Sequence, residues 1–125
     1  MKEPKMLKGK GSFSYDLIHD ILFFKTVERD YVKSIELENL TIDIDKEGFI
    51  VGIQIFEASH FFNLGKEELR NVRHWEFKAV VNEGSIEIRL IFQMLRRNKI
   101  IEKNPIIMQP NSANLPLSEL TCQVR

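Results

Sequence analysis

The stretch "DIDKEGFIVGIQIFEAS", Asp43 to Ser59, opens with acidic residues at alternate positions, Asp43, Asp45 and Glu47, and then a glycine, Gly48. A calcium loop begins in this way, but it continues to a bidentate glutamate at its twelfth position. That position here is Gln54, a neutral amide that cannot clamp a hard cation with two charged oxygens. A calcium loop also needs helices on both sides, whereas "NLTID" and "FIVGIQI" alternate apolar and polar residues with the period of a strand. The stretch is therefore a hairpin: a glycine-closed turn between two strands, with Asp43 and Asp45 expected on the solvent face opposite Ile42 and Ile44.

Working outward, Asp20 to Val27 is aromatic and β-branched and reads as a strand. Between Tyr31 and Asp45 the alternation slips phase, because Ile35 and Leu37 share one parity while Leu40, Ile42 and Ile44 share the other. A slip of that kind requires an extra residue, which places a turn or bulge at Glu38–Asn39. Past Ile55 the period changes. Ala58, Phe61 and Phe62, then Leu69 and Val72 in "GKEELRNV", fit a short helical segment, with Gly65 and Glu68 in the positions of a weak capping box. Trp75, Phe77, Ala79 and Val81 alternate again up to the turn "NEG" at Asn82–Gly84. Ile86 to Met94 alternate back to "RRNK", with Ile91 and Leu95 making both faces apolar near the end. Ile100–Ile101 and Ile106–Met108 form a last strand that Pro105 confines to an edge or a break.

The expected fold is a β-rich α+β domain of about six mostly antiparallel strands, with a helical segment between a front sheet (20–56) and a back sheet (74–108). Residues 1–14 carry Lys2, Lys5, Lys8 and Lys10 among glycines and read as a flexible leader. The globular domain is expected over 15–108, and 109–125, "QPNSANLPLSELTCQVR", reads as a C-terminal tail or arm.

At 125 residues the chain suits one domain, and 43% hydrophobic with 29% charged residues is globular rather than disordered composition. Its 18 basic residues balance 18 acidic ones, so no global field draws it to nucleic acid or to an anionic membrane. The apolar runs are strand-sized, too short to span a bilayer as helices. A lone cysteine, Cys122, excludes an internal disulfide and suits a cytoplasmic setting. Abundant Ile, Lys and Glu with little Gln point to a thermophilic source.

Two of these stretches also carry a family resemblance. "YDLIHDILFF" (Tyr15 to Phe24) and "DKEGFIVGIQIFEAS" (Asp45 to Ser59) resemble the prokaryotic domain of unknown function 2283. That family shows Tyr-Asp, an Asp four residues on, a strand, and after a gap Asp-x-x-Gly-x-Ile-Val-Gly-Ile-Glu-Ile-Leu-Asp-Ala-Ser. Tyr15, Asp16, Asp20, Leu22, Asp45, Gly48, Ile50, Val51, Gly52, Ile53, Ile55, Ala58 and Ser59 stand at matching places. Gln54 and Phe56–Glu57 depart from the pattern without disturbing a strand. The resemblance covers Tyr15 to about Phe62, and the toxin-like partners beside some relatives imply an interaction role. The matched positions read as folding devices. Mid-strand Gly52 marks a close approach of another group, and in "EAS" either Ser59 caps the helix or Ala58 lets it sit near the sheet.

No pattern of active-site residues is present. His19, His60 and His74 are scattered without metal-ligand spacing, so no metal or cofactor is expected. Ser59 beside His60 lacks a nucleophile-elbow context, Cys122 has no histidine near it in sequence, and "GKG" at Gly9–Gly11 lacks a strand–helix setting for phosphate. The candidate interface is instead Arg73, Trp75, Arg96 and Arg97, an arginine–aromatic group at one end of a hairpin, with Phe61 and Phe62, adjacent aromatics on a helix able to bury one of them easily. For Trp75 the core is favoured over exposure, since it keeps parity with Phe77. Three functions follow. The leading one is a non-catalytic interaction module, a homodimer and a partner or neutraliser of another small protein, with the chain ends as docking arms. The second is nucleic-acid binding through the arginine–tryptophan group and the leader. The third is an enzyme or ligand carrier, whose pocket the sequence does not locate and which a pocket around His60 or Asp20 would support.

Overall fold

The computed structural model describes residues 5–124. Ten strands and two five-residue helices follow in the order β1 (Lys5–Asp16), β2 (Ile21–Thr26), β3 (Lys33–Glu36), β4 (Leu40–Ile44), β5 (Ile50–Ile55), α1 (Ala58–Phe62), α2 (Lys66–Arg70), β6 (His74–Val81), β7 (Ser85–Arg96), β8 (Lys99–Lys103), β9 (Ile106–Pro110) and β10 (Ser118–Val124). The β-rich α+β class holds, but the expected six strands in two hairpin sheets do not. All ten strands belong to one sheet in the order β3-β4-β5-β2-β1-β10-β6-β7-β8, with β9 continuing β8 along the same side of β7.

The correction comes from the two chain ends. What reads as a leader becomes strand from Lys5, with only residues 1–4 outside the described part. What reads as a tail contains β9's end and all of β10. β1 and β10 run parallel, Lys5 opposite Ser118 through Gly11 opposite Val124, and so join the front half of the sheet to the back half. β1 is shared: its first half pairs with β10, and its second half, Gly11 to Asp16, pairs antiparallel with β2. The leader's alternation is hidden because glycines occupy inward positions. Leu7, Phe13 and Tyr15 pack on the core, while Gly9 lies where a Cβ would stand 3.0 Å from the Thr26 Cγ2.

The sheet curls until its halves share one core. β2 and β6 are three strand spacings apart in the order, about 14 Å in a flat sheet, yet Phe24 and Phe77 have ring centroids 5.9 Å apart and Phe24 and Trp75 4.8 Å. Leu22, Ile42, Ile53 and Ile55 from the front half meet Trp75, Ile88, Leu90 and Phe92 from the back, all with no measurable exposure. This is the alternation read from sequence, turned inward on both sides of a fold in the sheet. Pro105 falls in the gap between β8 and β9, at the edge where a missing N–H is tolerated.

The loop that delivers β10 is fixed to both halves. Asn111, buried, donates from Nδ2 to the Asn82 carbonyl at 2.8 Å and to the Leu115 carbonyl at 3.1 Å, and its Oδ1 accepts the Leu115 N–H at 2.9 Å. Pro116 then crosses the β4–β5 turn at Gly48, whose φ is +91° and whose notional Cβ lies 2.3 Å from the Pro116 Cγ. Two constraints therefore fall on one glycine, left-handed backbone and contact with a ring. Gly48→Ala should lower stability by about 2 kcal/mol or more through strain and overlap. Gly84, with nothing within 4 Å of its Cβ position, should accept alanine with little change. Chemical denaturation of the two variants beside the parent checks the contrast.

Candidate interaction surfaces

The residues shared with the resembled family converge on two local devices. In the first, Asp45 closes the opening hairpin: its Oδ1 accepts the N–H groups of Glu47 and Phe49, both at 2.9 Å. Asp45 was expected in solvent and is instead buried, because Arg29 reaches over it, 3.4 Å from Nε to Oδ2, while continuing to Glu47 at 3.1 Å and lying on the Phe49 ring. Asp43 accepts the Ser34 hydroxyl at 2.7 Å and sits against Gly52, where a Cβ would come within 2.9 Å of its Oδ2. The close approach expected at Gly52 is thus the carboxylate of the neighbouring strand. Both aspartates work as turn and cross-strand acceptors.

The second device joins Tyr15, Asp20 and Ser59. Asp20 adopts φ +57°, which an aspartate tolerates, and its carboxylate accepts the Tyr15 hydroxyl at 2.5 Å and the Ser59 hydroxyl at 2.6 Å. It also accepts the Ser59 N–H at 3.0 Å, and the Asp20 carbonyl takes the Ala58 N–H at 3.0 Å. Ser59 therefore does not cap α1. Asp20 does so from the β1–β2 turn, and Ala58 is fully buried as the close helix–sheet approach requires. Partial burial pushes the Asp20 carboxyl up, but the hydrogen bonds from Ser59 and Tyr15 outweigh it and leave it below the usual carboxylate range. Burial, then the bond to Asp20, pushes the Tyr15 phenol well up and keeps it neutral.

With its hydroxyl committed to Asp20, Ser59 has no bond to His60, which is exposed. His19 pairs with Asp16 at 2.9 Å and His74 faces Glu76 at 3.7 Å. Among the described residues no three His, Cys, Asp or Glu side chains gather as a metal site, and no helix is long and apolar enough to cross a membrane. Cys122 is buried, its thiol pushed up by burial, with the Thr26 hydroxyl 3.9 Å away.

The arginine–aromatic group does not come together as an exposed platform. Trp75 is fully buried between Phe24 and Phe92, and its ring lies 4.2 Å from that of Phe92. Arg96 is held by Glu68, which lies 2.7 Å from its Nε and 2.6 Å from its Nη2. The same glutamate accepts the Gly65 N–H at 3.0 Å, the half of the capping box that a glycine permits, and that bond, followed by the one from Arg96, holds its carboxyl below the usual carboxylate range. Arg73 is exposed, and Arg97 is exposed in the left-handed backbone of the β7–β8 turn. Phe62 packs edge-on to Phe92 at 5.2 Å and Phe61 edge-on to Phe62 at 5.0 Å, so both aromatics are half-buried.

A different group is open. Leu95, Ile100, Ile106 and Met108 are 39%, 72%, 53% and 55% exposed on the outer face of β7, β8 and β9. Leu95 and Ile100 are cross-strand neighbours, and Ile106 and Met108 flank the fully inward Ile88–Ile107 pair. The doubly apolar end of β7 gave part of this in sequence. The last strand read over Ile100–Ile101 and Ile106–Met108, with Pro105 confining it to an edge or a break, gave the place of the rest, but not that Ile100, Ile106 and Met108 face outward.

The chain matches the family described as protein of unknown function (DUF2283) over residues 12–59. It is 36% identical over 114 residues to a protein of Methanosarcina mazei named putative hypoxanthine phosphoribosyltransferase, covering 88% of this chain and 93% of that one. It is 30% identical over 112 residues to an uncharacterized protein of Methanocaldococcus jannaschii, covering 89% of this chain and 97% of that one. No solved structure matches. The matched residues 12–59 contain both devices, Tyr15–Asp20–Ser59 and Asp45–Gly48, in full.

Asp20→Asn keeps the left-handed backbone and removes the charge, and should cost about 1–2 kcal/mol at pH 7. Because the folded Asp20 carboxyl titrates below its unfolded value, the parent has this stability above the unfolded pKa and loses it as pH falls through the folded one. Urea melts should therefore show the gap between parent and variant narrowing on acidification.

Proposed function

The chain belongs to the protein family of unknown function DUF2283, and we propose that it is a non-catalytic protein–protein interaction module that works as a cytoplasmic homodimer. The observation that carries this reading is the contrast between the two edges of the sheet. β3 is four residues long and carries Lys33 and Glu36, the short charged form that discourages strand pairing. The other edge, β8 with β9, is longer and carries the exposed Ile100, Ile106 and Met108. An isologous dimer places that edge against its own copy and removes these side chains from water, at about 25 cal/mol for each Å² of apolar surface covered. A small heterologous protein is the second partner in this reading.

Nucleic-acid binding retains less support, since the fully buried Trp75 offers no face for a base and Arg96 is engaged by Glu68. The printed name of the Methanosarcina mazei relative raises phosphoribosyl transfer, a reaction that needs a cradle of backbone N–H groups for phosphate. The helices here are five residues each and no glycine-rich turn precedes them. Purified protein incubated with hypoxanthine and phosphoribosyl diphosphate should release no nucleotide; turnover above a heat-killed control would replace the present reading with an enzymatic one.

Light scattering after size exclusion tests the dimer. The parent should run as two chains, and Ile100→Asp with Met108→Asp should run as one, with unchanged far-ultraviolet dichroism since both side chains already face water in the single chain. A monomeric parent at micromolar concentration would contradict it.

A further inference from the structure

We propose that the N-terminal half of β1 is a docking strand: it takes an extended acidic segment of another protein into the split between β1 and the end of β2. The inference rests on the reading of the chain as an interaction module but uses a surface separate from the β8–β9 edge.

The split follows from the register. β1 pairs with β2 only from Gly11 onward, and with β10 only up to Gly11. The last bond across the β2 side is the Val27 N–H to the Lys10 carbonyl at 2.8 Å. Glu28 then turns the chain away with φ +68°. Successive residues of a strand direct their N–H and C=O groups to opposite sides. The Lys5 N–H goes to the Leu117 carbonyl on the β10 side, and the Lys10 carbonyl goes to Val27 on the β2 side. Met6 and Lys8 have the parity of Lys10, so their N–H and C=O groups face the side where β2 has already left. That stretch, unpaired among the described residues, borders a cleft of about 460 Å³, walled by Leu7 to Lys10 on one side and Thr26 to Arg29 on the other.

An edge of this kind, inside a sheet and beside an open cleft, recognises an extended backbone by completing its ladder. The flanking side chains state which sequence fits. Lys8 and Lys10 are exposed on the outer face of β1, and neither joins an ion pair among the described residues. Arg29 on the far wall is already engaged by Asp45 and Glu47. A segment paired with β1 therefore gains by presenting a carboxylate across from Lys8, within diagonal reach of Lys10, whose own opposite position is held by Val27. Its intervening side chain points inward beside Gly9, whose Cβ position lies 3.0 Å from the Thr26 Cγ2.

The test uses short blocked, dye-labelled peptides in which valine alternates with glutamate or with lysine, followed by fluorescence anisotropy and by amide hydrogen exchange of the full chain. The glutamate peptide should bind at least ~10-fold more tightly than the lysine peptide, and should slow exchange at the Met6 and Lys8 amides. Lys8→Glu with Lys10→Glu, both on the solvent face, should reverse the preference. Met6→Pro removes one donor from the free edge without touching the β10 ladder and should weaken the glutamate peptide while leaving the melting temperature close to that of the parent. Equal binding of both peptides, binding that leaves the Met6 and Lys8 amides unchanged, or displacement by a single-stranded oligonucleotide at equal concentration would each overturn the proposal. So would concentration-dependent protection of those amides without peptide, which would mean that a second copy fills the split. Absence of peptide binding in a protein that remains dimeric would remove the docking strand and leave the proposed function intact.

Discussion

The parallel pairing of β1 with β10 is the constraint on which the rest of the structure depends. Without it the chain is two hairpin assemblies, each with one apolar face and nothing to cover it. With it, the ends of the chain meet in the middle of one sheet, and the curl of that sheet brings Phe24 onto Trp75 and Phe77. The pairing also joins residues near opposite ends of the described chain, Lys5 with Ser118 through Gly11 with Val124. Its loop-closure entropy is offset by the burial of Leu120, Cys122 and the aromatic cluster rather than by the ladder alone. The Pro116–Gly48 contact and the Asn111 bonds hold the final approach of β10 in place, so the β4–β5 turn serves the joining of the halves as well as its own hairpin.

Much of this was legible. The phase slip at Glu38–Asn39 falls between β3 and β4, the parity of Trp75 with Phe77 is that of a core strand, and the close approach at Gly52 is real. The terminal strands were not legible, for two physical reasons. In β1 the inward positions Gly9 and Gly11 carry no side chain, so a period of two shows lysines on one face and nothing on the other. Before β10, Pro110 and Pro116 carry the composition of a loose arm, yet Pro116 is fixed by packing on Gly48, a contact that no local pattern announces. Counting strands from periodicity therefore stopped at both ends of the chain, and the single sheet appeared as two.

The same distinction separates the family positions from the surfaces. Tyr15, Asp20, Ser59, Asp45 and Gly48 are hydrogen-bonding and backbone devices, recognisable as types but paired only in three dimensions: of the two roles open in "EAS", the close approach of Ala58 is the one realised, and the cap comes from Asp20, whose carboxylate accepts the Ser59 N–H. The exposed residues Leu95, Ile100, Ile106 and Met108 and the free side of Met6 and Lys8 depend instead on which strands have neighbours, a property of topology. An arginine–tryptophan cluster is visible in sequence and dissolves in the fold. An unpaired strand edge is invisible in sequence and follows directly from the register.

The most direct measurement is native-state amide hydrogen exchange along β1, residue by residue, in the protein without partners. If β1 is joined to β10 on one side only, the amides of Leu7 and Gly9 should be protected to nearly the stability of the whole sheet, while those of Met6 and Lys8 exchange far faster, an alternation with a period of two. Fast exchange at all four positions would mean that the chain end is not part of the sheet, and the joining of the two halves by β1 and β10 would be contradicted.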